Sequence, residues 1–428
     1  MCPMRKLMRF TKPRLIQIAL VGLMLVAPPA IAEDGADGGE KRPTLGSPDQ
    51  VDNQLASDSG PKDPLLKLSF LDGYFAWKSK IKESTGFGFG LDYSTVFFGA
   101  NESLGEDTAA AGMVRFFGAW DLIGRESGDT GALVYKVEHR HSYTTTTPKF
   151  FGFDLGYAGL FAAPWNDDQL RVTNLYWRQR LAGQRLVFLA GFLDATDFVD
   201  VYGLASPWLH FMNLTFSTGS AAMALPNDGA LGVAAGGWIS ENLYGIASIV
   251  DNASDPTDVF SGFDRFANTN EYFTSVEVGW TTARDRAYFD NIHLTYWHSD
   301  QKSEIGDPSG WGMNGSGTWY LKDKWMPFVR GGYAEDAGSI LETSVGAGAG
   351  YQWIPGRDLI GLALNWGTPN ETTWGPGLDD QYTMEAFWRW QVGEQLAITP
   401  DVQLLVNPAN NPDADQIWVY GIRARIAL

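Results

Sequence analysis

The feature that most constrains this chain is an alternation of apolar and polar residues in segments of about ten residues. In the last segment, Trp418, Tyr420 and Ile422 share one face of an extended strand. Arg423 and Arg425 share the opposite face. Clusters rich in Gly, Asp, Asn, Pro and Ser separate the segments, as turns do. A period of two in segments of this length is typical of strands that have one face in lipid and the other in water.

The segments number about sixteen, which is within the even series of transmembrane barrels. They begin near Gly86, Ala111, Gly131, Leu170, Gln184, Gly229, Glu241, Thr269, Asn291, Gly310, Lys324, Leu341, Asp358, Gln381, Glu394 and Gln416. Barrels of this size are wide enough to hold an aqueous channel. The sequence therefore predicts an all-β fold, a transmembrane antiparallel β-barrel of about 16 strands over residues 86–428.

The first 32 residues have the features of an export signal. Five basic residues precede an apolar stretch from Leu15 to Val26, and Ala30 to Ala32 supply a cleavage site with small residues. This stretch of twelve residues is too short for a membrane-spanning helix, which needs about 20. The only cysteine, Cys2, lies within this range. We therefore predict a signal peptide at residues 1–32 and a mature chain without thiol chemistry.

Two further segments precede the strands. Residues 33–64 contain eight acidic residues among Gly, Pro and Ser, which predicts an acidic disordered linker. Phe70, Tyr74, Trp77 and Ile81 then fall at helical spacing. We predict a short amphipathic helix within residues 65–85, at the periplasmic mouth of the barrel.

The polar face of the strands supplies candidates for the lining of a pore. Both signs of charge occur there, and bases outnumber acids. Such side chains can exchange hydrogen bonds with hydroxylated solutes, or they can pair across the wall as a purely structural feature. The candidates are Arg115, Lys136, Glu138, Arg140, Arg178, Arg180, Arg330, Glu385, Arg389, Arg423 and Arg425.

One stretch, from Asp194 to Phe216, interrupts the rhythm of the strands. It combines carboxylates with aromatic rings, a mixture that suits sugar binding, because rings pack under C–H groups and carboxylates accept hydrogen bonds from hydroxyls. It is interpreted either as a loop folded into the pore or as an ordinary loop packed against the wall. Its candidate residues are Asp194, Asp197, Asp200, Tyr202, Trp208 and His210.

Enzymatic motifs are missing from the sequence. It has no G-x-S-x-G elbow, no H-E-x-x-H pair and no phosphate-binding loop after a strand. His139 and His141 stand two residues apart on one strand face, but no third ligand accompanies them. We predict no catalytic residue, no metal site and no cofactor. The acidic net charge of -18 also makes a nucleic-acid partner unexpected.

Several segments resemble the OprB-type carbohydrate-selective porin family. They are VYKVEHRHSY from Val134, LDATDFVDVYGLAS from Leu193, LHFMNLTF from Leu209, HLTYWHSD from His293 and the block EAFWRWQVGEQLAITPDVQLLV from Glu385. The resemblance implies a sixteen-stranded barrel in the outer membrane of a Gram-negative bacterium. It also implies that the barrel conducts sugars without a cofactor or an energy source.

The expected function is passive diffusion of small hydrophilic solutes, with carbohydrates as the expected class, into the periplasm. The alternative is an outer-membrane barrel enzyme, or a structural barrel without sugar selectivity. The expected partners are outer-membrane lipid and the solutes. A homotrimer and a monomer both stay open.

Overall fold

A computed structural model of the chain describes residues 45–67 and 69–428. Sixteen antiparallel strands close into one barrel, in which each strand pairs with its sequence neighbours and β1 also pairs with β16. The strands are β1 Phe87–Ala100, β2 Thr108–Ile123, β3 Gly131–Ser142, β4 Gln169–Leu181, β5 Leu186–Asp194, β6 Gly229–Trp238, β7 Leu243–Asp251, β8 Tyr272–Thr281, β9 Asn291–Ser299, β10 Gly310–Thr318, β11 Trp325–Asp336, β12 Leu341–Tyr351, β13 Asp358–Pro369, β14 Gln381–Gln391, β15 Leu396–Val406 and β16 Gln416–Ala427. The predicted fold class is confirmed.

Five α-helices accompany the strands in the described part of the chain. They are α1 Val51–Ser59, α2 Asp72–Thr85, α3 Phe151–Asp154, α4 Ser261–Asn268 and α5 Glu371–Trp374. Within the described ranges, no helix combines the length and the apolar character that a bilayer crossing requires. The predicted signal peptide, residues 1–32, lies outside the described residues and stays a prediction.

The two faces of the strands follow the alternation of the sequence. In β16, Ile422 is 47% exposed on the outer surface, whereas the next residue, Arg423, is 1% exposed and points into the barrel. The same holds in β13, where Leu362 and Leu364 are exposed and Ala363 between them is buried. The exposed apolar side chains form the surface that meets lipid, because hydrocarbon has no hydrogen-bonding partners for polar groups.

The two ends of the barrel differ in the length of their connections. At one end, short turns join β2 to β3, β4 to β5 and β6 to β7, and the beginning of β1 and the end of β16 lie there too. At the other end, residues 143–168, 195–228 and 252–271 form long connections. Outer-membrane barrels have short periplasmic turns and longer extracellular loops. We therefore call the short-turn end periplasmic and the long-loop end extracellular.

The predicted disordered linker, residues 33–64, needs correction in its second part. From residue 45 onward the structure describes an ordered segment that contains helix α1, and Val51 is fully buried against Phe117 and Val134 of the barrel wall. The acidic side chains of this segment pair with basic side chains of the wall, which offsets the cost of ordering it. Residues 33–44 lie outside the described residues.

The helix predicted within residues 65–85 corresponds to α2. Its last turn ends at Gly86, whose φ of 77° allows the chain to reverse into β1. The ring of Trp77 contacts the ring of Phe89, with 6.0 Å between their centroids. Phe89 in turn contacts Phe116, which is exposed on the outer surface. Helix α2 therefore packs against the outside of the barrel at the periplasmic end.

A pair of substitutions in β16 tests the assignment of the two faces. Ile422→Arg should destabilise the assembled barrel by about 2–4 kcal/mol, because it places a charge in lipid near the middle of a strand. Arg423→Ile should cost less and should change conductance instead, because the Arg423 guanidinium donates to the carbonyl oxygens of Pro207 and His210 inside the barrel. The measurements are urea unfolding and the heat-dependent migration of the barrel in SDS gels. Equal assembly defects in the two variants would contradict the assignment.

Candidate functional site

The connection between β5 and β6, residues 195–228, folds into the barrel, and we call it the inner loop. It reaches the opposite wall, where the Glu385 carboxylate of β14 accepts hydrogen bonds from the backbone N–H groups of Met212 at 2.5 Å and Asn213 at 2.9 Å. From β16, Arg423 donates to two carbonyl oxygens of the same loop. The inner loop is thus fixed to the wall from both sides and divides the lumen.

Asp200 is the central polar contact of the inner loop. Its buried carboxylate accepts hydrogen bonds from the Arg330 guanidinium at 2.5 Å and from the backbone N–H of Gly219 at 2.8 Å, and it lies 2.8 Å from Nε2 of His293. Burial raises the pKa of Asp200, but the charge of Arg330 and the contacts with His293 outweigh burial and lower the pKa overall. Asp200 therefore carries a negative charge that Arg330 neutralises.

The other two predicted carboxylates lie at the start of the inner loop. Asp194 is the last residue of β5, and its carboxylate accepts a hydrogen bond from the backbone N–H of Thr196 at 3.0 Å. Asp197 accepts a hydrogen bond from the Asn174 amide at 2.9 Å and lies 3.6 Å from the Lys136 ammonium. Burial raises the pKa of Asp197 to about 6, although Lys136 and Asn174 act in the opposite direction. Both carboxylates face protein partners in the lumen.

The predicted aromatic residues of this stretch are buried beneath arginines. The Arg115 guanidinium lies 4.3 Å from the ring centroid of Trp208, and that of Arg330 lies 4.1 Å from the ring centroid of Tyr202. Burial, followed by the charges of Arg389 and Arg423, lowers the pKa of His210 well below its usual value, so this imidazole is neutral. Arg115 and Arg330 thus cover one face of each ring. Contact between a solute and these rings stays a prediction.

All the predicted wall residues point into the barrel, and most of them pair with carboxylates. Arg115 pairs with Asp92, and Arg140 pairs with Glu138 and Asp228. The residues brought together inside the barrel are Arg115, Lys136, Glu138, Arg140, Arg178, Arg180, Arg330, Glu385, Arg389, Arg423 and Arg425. In the described structure, the lumen therefore contains bonded charges rather than a free basic surface.

The segment over residues 45–64, which we call the N-terminal segment, also lies inside the barrel. Asp52 pairs with Arg178 and, at 2.9 Å, with Arg180. Asp58 accepts two hydrogen bonds of 2.7 Å from Arg425. These contacts hold helix α1 against the wall on the periplasmic side of the inner loop.

Further contacts join the N-terminal segment to the inner loop itself. The Ser206 hydroxyl donates to the Asp49 carboxylate at 2.5 Å, and the Ser47 backbone N–H donates to the carbonyl oxygen of Asp197 at 2.7 Å. Burial raises the pKa of Asp49 to about 6. The sequence did not predict these contacts. One signal for them was present, since an excess of bases on the polar strand faces requires acids from elsewhere in the chain.

A cavity of about 350 Å³ opens between the N-terminal segment and the wall at the periplasmic end, and we call it the vestibule. One side is aromatic, where the rings of Phe289 and Tyr320 stack with 5.5 Å between their centroids. Polar side chains of β14, among them Arg389 and Gln391, also line the vestibule. Within residues 45–67 and 69–428, the Arg389 guanidinium makes no hydrogen bond or ion pair. The vestibule thus brings two aromatic rings and one fork of N–H donors to the same cavity.

Metal chemistry has no evident place in the described residues. No group of three His, Cys, Asp or Glu side chains there could hold a metal ion. His139 and His141 are neighbours, and Nε2 of His141 lies 3.2 Å from the Tyr93 hydroxyl.

Comparisons with known proteins agree with this architecture. Residues 318–428 match the family model described as carbohydrate-selective porin, OprB family. Among solved structures, the high-pH structure of OprB from Pseudomonas putida matches with a TM-score of 0.67 at 12% identity and covers 83% of this chain and 97% of that one. The low-pH structure of the same protein matches with a TM-score of 0.50 at 12% identity and covers 86% of this chain and 100% of the other. No curated protein sequence gives a significant match.

The family match covers Thr318 at the end of β10 and all of the strands from β11 to β16. At 12% identity, the structural matches establish the fold alone. The barrel and the family match indicate a channel rather than an enzyme, in the outer membrane of a Gram-negative bacterium. The resemblance seen in the sequence is confirmed over residues 318–428, which match the OprB family, and the closed barrel with this match supports a channel through which solutes diffuse passively.

Proposed function

We propose that the solutes are small carbohydrates and that they bind transiently in the vestibule on their way to the periplasm. The observation that carries this proposal is that one cavity is lined by the stacked rings of Phe289 and Tyr320 and by the Arg389 guanidinium, which has no hydrogen-bond partner in the described part of the chain. Sugars present C–H groups to aromatic faces and hydroxyl oxygens to N–H donors. The cavity volume, about 350 Å³, lies within the range of roughly 300–1,000 Å³ that small-molecule sites occupy.

Diffusion through the lumen needs no catalytic group, and we propose that the chain catalyses no reaction. The inner loop and the N-terminal segment set the width of the path, because they fill the space between opposite walls. We also propose that the protein lies in the cell outer membrane with its vestibule facing the periplasm. The homotrimer stays a prediction, which native mass spectrometry of the detergent-extracted protein can decide.

The test of the function is the conductance of the purified protein in a planar bilayer, with and without glucose or maltose. A sugar-selective porin should give discrete conductance steps that the sugar reduces in a saturable way. Steps that no sugar reduces would indicate general diffusion. The lack of any step in a correctly folded sample would favour the alternative of a barrel enzyme or a structural barrel.

Arg389→Ala should weaken the sugar block about tenfold. Hydrogen bonds to charged groups contribute roughly 1.5–3 kcal/mol, and about 1.4 kcal/mol corresponds to a tenfold change in affinity. The measurement is the sugar concentration that halves the conductance. Lys322→Ala is the matched control, because it removes one positive charge from an exposed turn at the same end of the barrel. An equal loss of block in both variants would show that Arg389 acts only through long-range charge.

A further inference from the structure

Helix α4, in the extracellular connection between β7 and β8, packs against the outside of the barrel. The helix covers Phe192, which is 4% exposed although it shares the outward face of β5 with Phe188, which is 45% exposed. The rings of Phe192 and Phe263 meet edge to face with 5.6 Å between their centroids. A side chain at Gly262 would come within 2.9 Å of the Phe192 ring, so the helix backbone lies close to the wall.

A groove of about 610 Å³ lies between α4 and strands β4 to β6. Its wall side is formed by outward apolar residues such as Leu175 and Val233, and its helix side by Phe260 and Phe263. Among the described residues, no charged or hydrogen-bonding side chain lines it. The groove therefore accepts a saturated or weakly unsaturated hydrocarbon and gives nothing for a polar group to bind.

Polar contacts away from the groove hold the helix in place. Arg265 forms a two-pronged ion pair with Glu304, at 2.7 and 2.6 Å, and also donates to the carbonyl oxygen of Ala253. The Thr269 hydroxyl donates to the carbonyl oxygen of Arg265 at 2.7 Å and closes the last turn. These contacts fix the helix with its apolar side toward the barrel wall, so the groove is a stable part of the connection between β7 and β8.

We propose that this groove binds one acyl chain of a lipid of the outer leaflet. It is continuous with the lipid-facing surface of the strands, through Leu175 and Val233, which are both exposed there. It also lies near the extracellular ends of β5 and β6, at the depth of the outer leaflet. A chain held between the wall and the helix makes van der Waals contacts on two sides, so it binds more tightly than a chain against an open wall, which makes them on one side. Phe260, which is 80% exposed, forms the free rim that a chain would cover.

The test is native mass spectrometry of the folded protein in detergent micelles with added dimyristoyl phosphatidylethanolamine. The wild-type protein should retain one lipid at low lipid concentration, and Phe260→Ser/Phe263→Ser should need at least about tenfold more lipid for the same occupancy. The matched control is Leu294→Ser/Leu362→Ser, which removes two outward apolar side chains from β9 and β13 and should bind lipid as the wild type does. Heat-dependent migration in SDS gels verifies that each barrel is folded.

Leu231→Trp fills the groove from the wall without altering the helix and should also displace the lipid. Equal lipid retention in the wild type, both double variants and Leu231→Trp would overturn the proposal. A second outcome would also overturn the proposal: the wild type forms an oligomer without bound lipid, and Phe260→Ser/Phe263→Ser dissociates that oligomer. A second copy of the chain would then occupy the groove.

Discussion

Replacement of Asp52 and Asp58 by Asn should raise the single-channel conductance several-fold. Asp52 pairs with Arg178 and Arg180, and Asp58 with Arg425, so the two carboxylates hold the N-terminal segment in the lumen. The two carboxylates are 16% and 20% exposed, so the loss of each charge-assisted contact should cost roughly 1.5–3 kcal/mol. The two losses together should shift the equilibrium of the segment away from its position in the lumen. The segment should then leave the lumen, and water and ions should take its place.

A single cysteine reports directly whether the segment has left. Gln54 is fully buried in α1, so Gln54→Cys should react slowly with a hydrophilic thiol reagent in the wild-type background and quickly beside Asp52→Asn/Asp58→Asn. Asp72→Asn/Glu126→Gln is the matched control, since both of its carboxylates are exposed at the periplasmic end. Fast labelling of Gln54→Cys with an unchanged conductance would show that the N-terminal segment does not limit the path.

Asp200→Ala should lower the free energy of unfolding by about 3–5 kcal/mol and should make the conductance of the pore noisy. The substitution leaves the Arg330 guanidinium buried without its carboxylate and also removes the acceptor of the Gly219 N–H. The inner loop should then lose its fixed position. Urea unfolding of the protein in lipid vesicles measures the first effect, and bilayer recording measures the second.

Two comparisons separate this effect from a general loss of charge. Glu241→Gln breaks a surface pair with Arg284 and should cost no more than about 1 kcal/mol, because Glu241 is largely exposed. Asp200→Ala/Arg330→Met should recover part of the stability lost in Asp200→Ala, because neither charge then remains buried. If the double variant were less stable than Asp200→Ala, the pair with Arg330 could not be the source of the loss.

The sequence by itself determined the barrel and the two faces of its wall. All sixteen predicted strand starts lie within three residues of those observed. A period of two leaves only one assignment of faces, so the outward position of Ile422 and the inward position of Arg423 followed without any long-range information. For the same reason, the inward position of wall candidates such as Arg330 and Glu385 could be predicted from their own strands.

The break in the rhythm after β5 was also visible in the sequence, but its consequence was not. Whether Asp200 meets solvent or protein depends on Arg330 and His293, which lie on β11 and β9. The sequence suggested Trp208 as a stacking face for solutes, yet Arg115 of β2 covers its ring. Closure of the barrel brings these partners together, and no local pattern encodes the distance between them.

The place of the N-terminal segment was decided by the tertiary structure alone. Its acidic composition is that of a solvated linker, and in isolation it buries too little apolar surface to offset the entropy of ordering. The barrel changes this balance, because it gathers Arg178, Arg180 and Arg425 into a lumen where unpaired charges are costly. Local periodicity therefore determined the wall of this protein, whereas charge pairing between segments far apart in sequence decided what fills it.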